Sequence, residues 1–221
     1  VPGTWRETIH ALQIASSTGL RAQVNTTVMK SNMDELADIF HIVKGSQAVA
    51  WEVFFLIRTG RGASLESLPP SECEEVMHFL FDAAGYGIPV RTAEGPHFRR
   101  VRIQRLNGAG PSDGQLYGRL AARLRTLEGD PSSPPTLKMT PTRDGKGIMF
   151  VAYNGEVYPS GFLPISAGRL PRDNLGTIYT SNPLFMALRN PSTLNGRCGK
   201  FEYREIFERS RSRALAEFGD T

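Results

Sequence analysis

The chain has 221 residues, of which 40% are hydrophobic and 22% are charged, and its formal net charge is +4 at pH 7. These values are ordinary for a globular protein that buries a sizeable core in one or two domains. No apolar run reaches the roughly 20 residues that cross a bilayer, so no membrane partner is expected. The N-terminal stretch VPGTWRETIH has no signal-peptide core, which favours a cytoplasmic location, and it lacks an initiator Met, which favours a fragment or a trimmed product.

The first half of the chain alternates between helical and strand patterns. Thr4 and Glu7 have the spacing of a capping box, and they predict a helix that ends near Gly19. The segment RAQVNTTV then alternates apolar and polar residues, which predicts a strand with one polar face. Such a face is expected to meet water or a ligand.

Two further helix–strand units follow. Asn32 and Glu35 begin a helix with an apolar stripe, and AVAWEVFFLI is typical of a strand that is buried on both faces. Pro70 begins another helix, and GIPVRTAEG supplies a third strand. The order α-β-α-β-α-β with short connections predicts parallel strands covered by helices, in an open α/β sheet or in part of a barrel.

The composition then changes to Gly, Pro and Ser. We interpret residues 107–146 as a connector with one short helix, whose leucines recur at helical spacing: Leu116, Leu120, Leu124 and Leu127. Beyond it, GIMFVAYNGEVYPSG predicts a hairpin with a type I′ turn at Asn154-Gly155. SNPLFMALRNP predicts a helix capped by Asn182, and EYREIFERSRSRALAEF predicts a last helix.

The cysteines and arginines limit the functions that the sequence supports. Cys73 and Cys198 are too few for a disulfide framework, and Cys73 lies on an apolar helix face that favours a buried thiol. Arginines cluster in residues 99–105 and 209–213. Because no nucleic-acid-binding motif accompanies them, solvated helix faces are the favoured interpretation over a nucleic-acid surface.

The ordered set of segments resembles the radical S-adenosylmethionine (radical SAM) proteins that carry a SPASM-type auxiliary domain. In the first half the resemblance is carried by VPGTWRETIHALQIASSTGLRAQVNTTVMKSNMDELADIF, WEVFFLIRTGRG and TAEGPHFRRV. In the second half it is carried by GEVYPSGFLPISAGRL, LGTIYTSNPLFMALRNP and CGKFEYREIFERSRSRALAEFGD. It covers nearly the whole chain and corresponds to the C-terminal two-thirds of such proteins.

The resemblance implies an α/β fold with the C-terminal half of a partial (β/α)₆ TIM-like barrel, followed by a small SPASM-like hairpin and helix module. Residues 1–106 would hold barrel strands four to six, and residues 147–221 the degenerate SPASM-like domain. In this family a Cys-x3-Cys-x2-Cys motif binds a four-iron four-sulfur (4Fe-4S) cluster that cleaves SAM reductively. The resulting radical abstracts a hydrogen from the substrate, and the resemblance implies peptides or haem precursors as substrates.

The chain departs from the family's pattern at its cysteines. It has no Cys-x3-Cys-x2-Cys motif, and the SPASM motif CGxCEYRxxC reads CGKFEYREIF here. Cys198 therefore matches one metal ligand, while Phe201 and Phe207 replace the next two, and Ser160 stands where many SPASM domains have a cysteine. Since a cubane cluster needs about four thiolates or equivalent ligands, no stable cluster is expected on this chain. The two phenylalanines are expected to fill the space with apolar rings.

The resemblance also implies a cofactor site at the strand ends. Asn25 and Thr27 would lie near the methionine or ribose part of SAM, or else serve as polar filling of the barrel. Thr92 and Glu94 would contact adenosine or substrate, and an ion pair with an arginine of PHFRR is the alternative for Glu94.

Two functions stay open. The chain is a section of a radical SAM/SPASM oxidoreductase-like protein that is silent by itself, or it is a non-catalytic scaffold that binds a peptide or partner without iron. A barrel cut before its fourth strand leaves a strand edge unpaired. Self-association, or a companion polypeptide that supplies the missing strands, is therefore expected.

Overall fold

The computed structural model describes residues 4–136, 144–190, 200, 203 and 210–219. The chain divides into two compact units. The first, the sheet unit, consists of residues 1–56 and 66–139, and the second, the hairpin unit, consists of residues 57–65 and 140–221.

The sheet unit alternates helices and strands as the sequence predicts. Its strands are β1 (Gln23–Val28), β2 (Ala50–Phe55) and β3 (Val90–Ala93). Its helices are α1 (Thr4–Ser17), α2 (Leu36–Gly45), α3 (Pro70–Ala83), α4 (Phe98–Leu106) and α5 (Gln115–Glu128). Short 3₁₀ turns occupy Met33–Glu35, before α2, and Ala84–Tyr86, after α3.

The three strands form a parallel sheet in the order β1-β2-β3. The register pairs Asn25 with Glu52 and Thr26 with Val53 across β1 and β2. Helices connect the strands, since a parallel pair cannot be joined by a tight hairpin. The predicted mixed α/β class with parallel strands is confirmed.

The two faces of this sheet differ in burial. On the face that α2 and α3 cover, Trp51, Val53 and Val90 are fully buried. On the other, which we call the open face, Glu52 and Phe54 are only partly buried. The prediction that β2 is buried on both faces is therefore wrong for the open face, where neighbouring β1 presents polar side chains.

Helix α5 belongs to the core of the sheet unit. It packs against both α2 and α3, and Leu116, Leu120 and Leu124 are buried in the cluster that contains Trp51. The helix predicted from the leucine spacing is thus confirmed, and its apolar stripe supplies part of the second layer. Arg119 on its exposed side forms an ion pair with Asp34 at 2.6 Å.

The hairpin unit contains a small antiparallel sheet and short helices. The sheet has the order β4 (Phe150–Val151), β5 (Glu156–Tyr158) and β6 (Gly168–Arg169). The helices are α6 (Leu175–Ser181), α7 (Pro183–Arg189) and α8 (Arg211–Phe218), and a 3₁₀ turn occupies Gly60–Ser64. The Asn182 side chain accepts a hydrogen bond from the Leu184 amide at 2.9 Å, which confirms the predicted cap of α7.

The turn between β4 and β5 differs from the prediction. A type I′ turn needs positive φ at both central residues, and φ is positive at Gly155 (86°) but not at Asn154. The Gly155 amide donates to the Ala152 carbonyl, and the Ala152 amide donates to the Glu156 carbonyl, as in a three-residue loop with a left-handed glycine. Glycine is also required because a Cβ there would lie 2.6 Å from the Leu170 carbonyl oxygen.

Among the described residues, no helix has both the length and the apolar character needed to span a bilayer.

Candidate functional site

A polar network crosses the open face of the parallel sheet. Nε2 of Gln23 donates to Oδ1 of Asn25 at 2.8 Å and to Oε2 of Glu52 at 2.6 Å. Nη1 of Arg91 lies 3.5 Å from Oε1 of Gln23. The network therefore links all three strands and places one carboxylate and one guanidinium on a face that is partly open to solvent.

The predicted residues Asn25 and Thr27 both lie on β1 with exposed side chains. Asn32 fixes the backbone beyond them, because its Nδ2 donates to the Thr27 carbonyl and its Oδ1 accepts from the Met29 amide, both at 2.9 Å. Asn32 was predicted to begin a helix, and the 3₁₀ turn Met33–Glu35 does follow it directly. Its side chain makes no cap there and closes the loop after β1 instead. The backbone at the carboxyl end of β1, next to Thr27, is thus held by the side chain of Asn32.

Thr92 lies on the other face of the sheet. It pairs in register with Val53, which also pairs with Thr26, so these three residues share the helix-covered face. Its hydroxyl donates to the Gly95 carbonyl at 3.5 Å. The structure does not bring Thr92 together with Asn25 and Thr27.

Glu94 directly follows β3 and has an unusual backbone. Its φ of 58° lies in the left-handed region, which non-glycine residues adopt rarely and mostly where the surrounding structure enforces it. The next residue, Gly95, is buried, and a Cβ there would lie 2.6 Å from the Phe55 ring. Close packing after β3 therefore holds Glu94 at the carboxyl end of the strands, where open α/β sheets bind ligands.

Gln23, Glu52 and Arg91 were not predicted from the sequence as site residues. A signal for two of them exists, since Glu52 is a charge inside an otherwise apolar strand and Arg91 alternates with Val90 and Thr92. Their convergence depends on the register between strands, which the sequence of each strand does not contain.

The candidate sulfur ligands do not form a metal site in the described part of the chain. Cys198, Phe201 and Phe207 lie outside the described residues. Cys73 packs against the core of the sheet unit, with its sulfur 3.6 Å from the Leu68 carbonyl oxygen. Within the described residues, no group of three or more His, Cys, Asp or Glu side chains is arranged to hold a metal ion. The described residues therefore offer no ligand set for an iron–sulfur cluster, which needs about four thiolates or equivalent ligands.

Two arginines of α4 bind the neighbouring helix α3. Arg100 forms an ion pair with Glu74, and Arg105 forms one with Asp82 at 2.6 Å while its guanidinium lies 4.7 Å from the centre of the Phe81 ring. Burial raises the pKa of Glu74, but hydrogen bonds from His78 and Arg100 outweigh it and lower this pKa to about 2. Both arginines therefore have intramolecular carboxylate partners.

A buried polar cluster organises the hairpin unit. The Asp144 carboxylate accepts from the Ser212 amide at 3.0 Å and from its hydroxyl at 2.9 Å. The Ser160 hydroxyl lies 3.2 Å from that of Ser212. Ser160, which stands where many SPASM domains have a cysteine, is thus part of a hydrogen-bonded cluster that connects the start of α8 to the hairpin.

Comparison with known proteins identifies relatives, although no family model matches the chain. A curated AdoMet-dependent heme synthase of Methanosarcina barkeri is 29% identical over 221 residues, which make up 100% of this chain and 59% of the relative. The proteins of the same name from Oleidesulfovibrio alaskensis and Nitratidesulfovibrio vulgaris are each 27% identical over 223 residues. They align with 99% and 100% of this chain and with 53% and 57% of their own lengths.

The predicted resemblance is therefore confirmed, and the chain is a homologue of radical SAM/SPASM-family enzymes over its whole length. More particularly, it is similar to proteins named AdoMet-dependent heme synthase. The chain spans between 53% and 59% of the length of these curated relatives.

Proposed function

We propose that this chain forms part of a radical SAM enzyme that acts on a haem precursor. The observation that carries the proposal is the similarity to AdoMet-dependent heme synthases along the entire chain. The sheet unit would be the C-terminal half of a partial TIM-like barrel, with its open face toward the barrel interior, and the hairpin unit would be a SPASM-like module. In barrel enzymes, ligands bind at the carboxyl ends of the strands.

Asn25 and Thr27 suit SAM, because exposed amide and hydroxyl groups can bind its amino, carboxyl and ribose groups. Glu94, at the end of β3, would bind adenosine or substrate. Thr92 would act indirectly, through its hydrogen bond to the backbone of Gly95. When SAM is bound and reduced by an iron–sulfur cluster, it supplies a radical that abstracts a hydrogen from the substrate.

The cluster itself would need other residues. The chain contains two cysteines, so we propose that the thiolates that activate SAM lie in sequence beyond these residues or in a companion polypeptide. A strand added at the edge of β1, which pairs on one side with β2, would extend the sheet toward a fuller barrel. The 221-residue chain by itself would be catalytically silent, and self-association through the same edge is the alternative assembly.

Anaerobic reconstitution with iron and sulfide tests this proposal. We expect far fewer than four iron atoms per chain and no 5′-deoxyadenosine when SAM and a strong reductant are added. A double variant, Phe201→Cys with Phe207→Cys, restores the spacing of the family motif around Cys198 and is expected to retain more iron. Stoichiometric iron on the unaltered chain together with cleavage of SAM would overturn the proposal of a silent chain.

A second candidate function is a binding scaffold without iron. Two observations favour it: the polar face around Asn25 and Glu52 is intact, and the chain lacks the cluster-binding cysteines of the family. If the chain stays free of radical chemistry even when mixed with a cysteine-containing N-terminal segment of a relative, the scaffold is the better description. Cleavage of SAM by the mixture would favour the enzyme.

A further inference from the structure

Arg91 is partly buried, yet its guanidinium makes few hydrogen bonds. Its Nε atom is buried without a hydrogen-bond partner, and its contact with Oε1 of Gln23 is long, at 3.5 Å. Leaving a buried donor unpaired is costly, and native structures do so rarely. Within the part of the chain that the structure describes, Arg91 also forms no ion pair. Its guanidinium therefore has N–H donors that an anion on the open face could accept.

The carboxylate on the adjacent strand does not fill this role. Glu52 is the register partner of Arg91 on the adjacent strand, so the two residues lie side by side on the open face. The Glu52 carboxylate is instead bound by the side-chain amide of Gln23 at 2.6 Å. The network therefore binds the negative charge of Glu52 to an amide of β1, and it leaves the guanidinium on β3 without an ion pair among the described residues.

An arginine offers a planar fork of N–H donors that matches a carboxylate with two parallel hydrogen bonds. A tetrapyrrole of the haem type carries carboxylate side chains on a large apolar ring. Phe54 follows Glu52 by two residues on the open face, beside Ala93 of β3, and is partly exposed, so an apolar side chain neighbours the register pair of Glu52 and Arg91. The face thus offers both the charge and the apolar contact that such a ligand needs.

We infer that Arg91 is a substrate-binding residue whose guanidinium pairs with a carboxylate side chain of the tetrapyrrole on the open face of the sheet. This inference rests on the proposed function. The carboxylate of SAM has the same chemistry, but the partly exposed Phe54 on the same face suits a large apolar ring, so the tetrapyrrole is the favoured source.

Titration of the 221-residue chain with haem, followed by haem absorbance, tests the inference. The dimethyl ester of haem serves as a probe that keeps the ring and lacks the charges. We expect Arg91→Gln to weaken haem binding about tenfold or more and to leave binding of the ester unchanged, with Arg91→Lys intermediate. Arg119→Gln, which removes an exposed arginine from α5, should change neither affinity.

Glu52→Gln is the second variant of the haem-binding test. If Arg91 binds a ligand carboxylate, removing the neighbouring charge of Glu52 should strengthen haem binding or leave it unchanged. If Arg91 instead exists to balance Glu52, both variants should lower the melting temperature and neither should discriminate haem from its ester.

Several results would overturn the inference. Unaltered haem affinity in Arg91→Gln would do so, as would an equal loss for haem and ester. Weaker SAM binding in equilibrium dialysis with unchanged haem binding would assign the residue to SAM. If the unaltered chain binds neither haem nor the ester, the proposed function fails and the inference fails with it. If the unaltered chain binds haem but Arg91→Gln affects haem and the ester equally, only the inference fails.

Discussion

Trp51 donates a hydrogen bond from its indole Nε1 to Oγ1 of Thr26 over 2.9 Å, and this bond joins β2 to β1 on the helix-covered face. The Trp51 side chain is fully buried, with its ring centre 5.5 Å from that of Phe40. A polar group of a buried tryptophan needs a partner, and the threonine of the neighbouring strand provides it. Thr26 is therefore a structural residue, although it lies between two candidates for ligand binding.

Thr26→Val should destabilise the sheet unit. The substitution keeps the shape of the side chain and leaves the indole N–H buried without an acceptor, which costs about 1–3 kcal/mol. Thr26→Ser keeps the hydroxyl and should lose much less. Urea unfolding followed by tryptophan fluorescence measures both variants, and equal stability of Thr26→Val and the unaltered chain would show that the bond contributes nothing.

Much of the sheet unit could be predicted because its signals are local. The alternation in β1, the apolar run of β2 and the leucine spacing of α5 each follow from the period of a single element. The cap at Asn182 is equally local. Parallel pairing then follows from the order of helices and strands.

The site was predicted less completely because it depends on relationships between elements. The face on which Thr92 lies is set by the register of β3 against β2, and the contact of Arg91 with Gln23 spans the sheet. The turn at Asn154 is set partly by the carbonyl of Leu170, which is distant in sequence. None of these contacts leaves a periodic signal.

The start of α5 depends on a side chain of α3. Oε2 of Glu75 accepts a hydrogen bond from the Tyr117 amide at 3.0 Å, which satisfies one of the first-turn N–H groups that a helix leaves unpaired. We expect Glu75→Ala to cost about 1 kcal/mol and to speed hydrogen exchange in the first turn of α5, whereas Glu75→Gln retains an acceptor and should cost less. Unchanged exchange at Tyr117 in the alanine variant would contradict this role.

The Glu74 carboxylate should make stability sensitive to acid. Its pKa is lowered from 4.5 to about 2 in the folded chain, since the hydrogen bonds from His78 and Arg100 outweigh the opposing effect of burial. A depressed pKa stabilises the fold above pH 4.5, and this contribution disappears as the pH falls from about 4.5 to about 2. The carboxylate is partly exposed, so we expect about 1–2 kcal/mol.

Glu74→Gln isolates this contribution. The variant should be less stable than the unaltered chain at pH 7, and the difference between the two should shrink on acidification to pH 2. Urea unfolding at a series of pH values measures the difference. A constant difference between pH 7 and pH 2 would mean that the charge of Glu74 does not stabilise the fold.

The cluster of Asp144, Ser160 and Ser212 should respond unequally to the loss of its two hydroxyls. Ser212→Ala removes the hydroxyl donor to a buried carboxylate, and we expect a loss of about 1–3 kcal/mol in the hairpin unit. Ser160→Ala should cost less than 1 kcal/mol, because Ser212 continues to donate to Asp144 through both its amide and its hydroxyl.

Amide hydrogen exchange in α8 is the suitable measurement for these two variants, because both tryptophans of the chain lie in the sheet unit and would not report on this cluster. Protection of α8 should fall strongly in Ser212→Ala and little in Ser160→Ala. If the order is reversed, the hydroxyl of Ser160 is the group that Asp144 depends on. Ser160 of the hairpin unit, which stands where many SPASM domains have a cysteine, would then hold the start of α8 in place, and Ser212 of the helix would not.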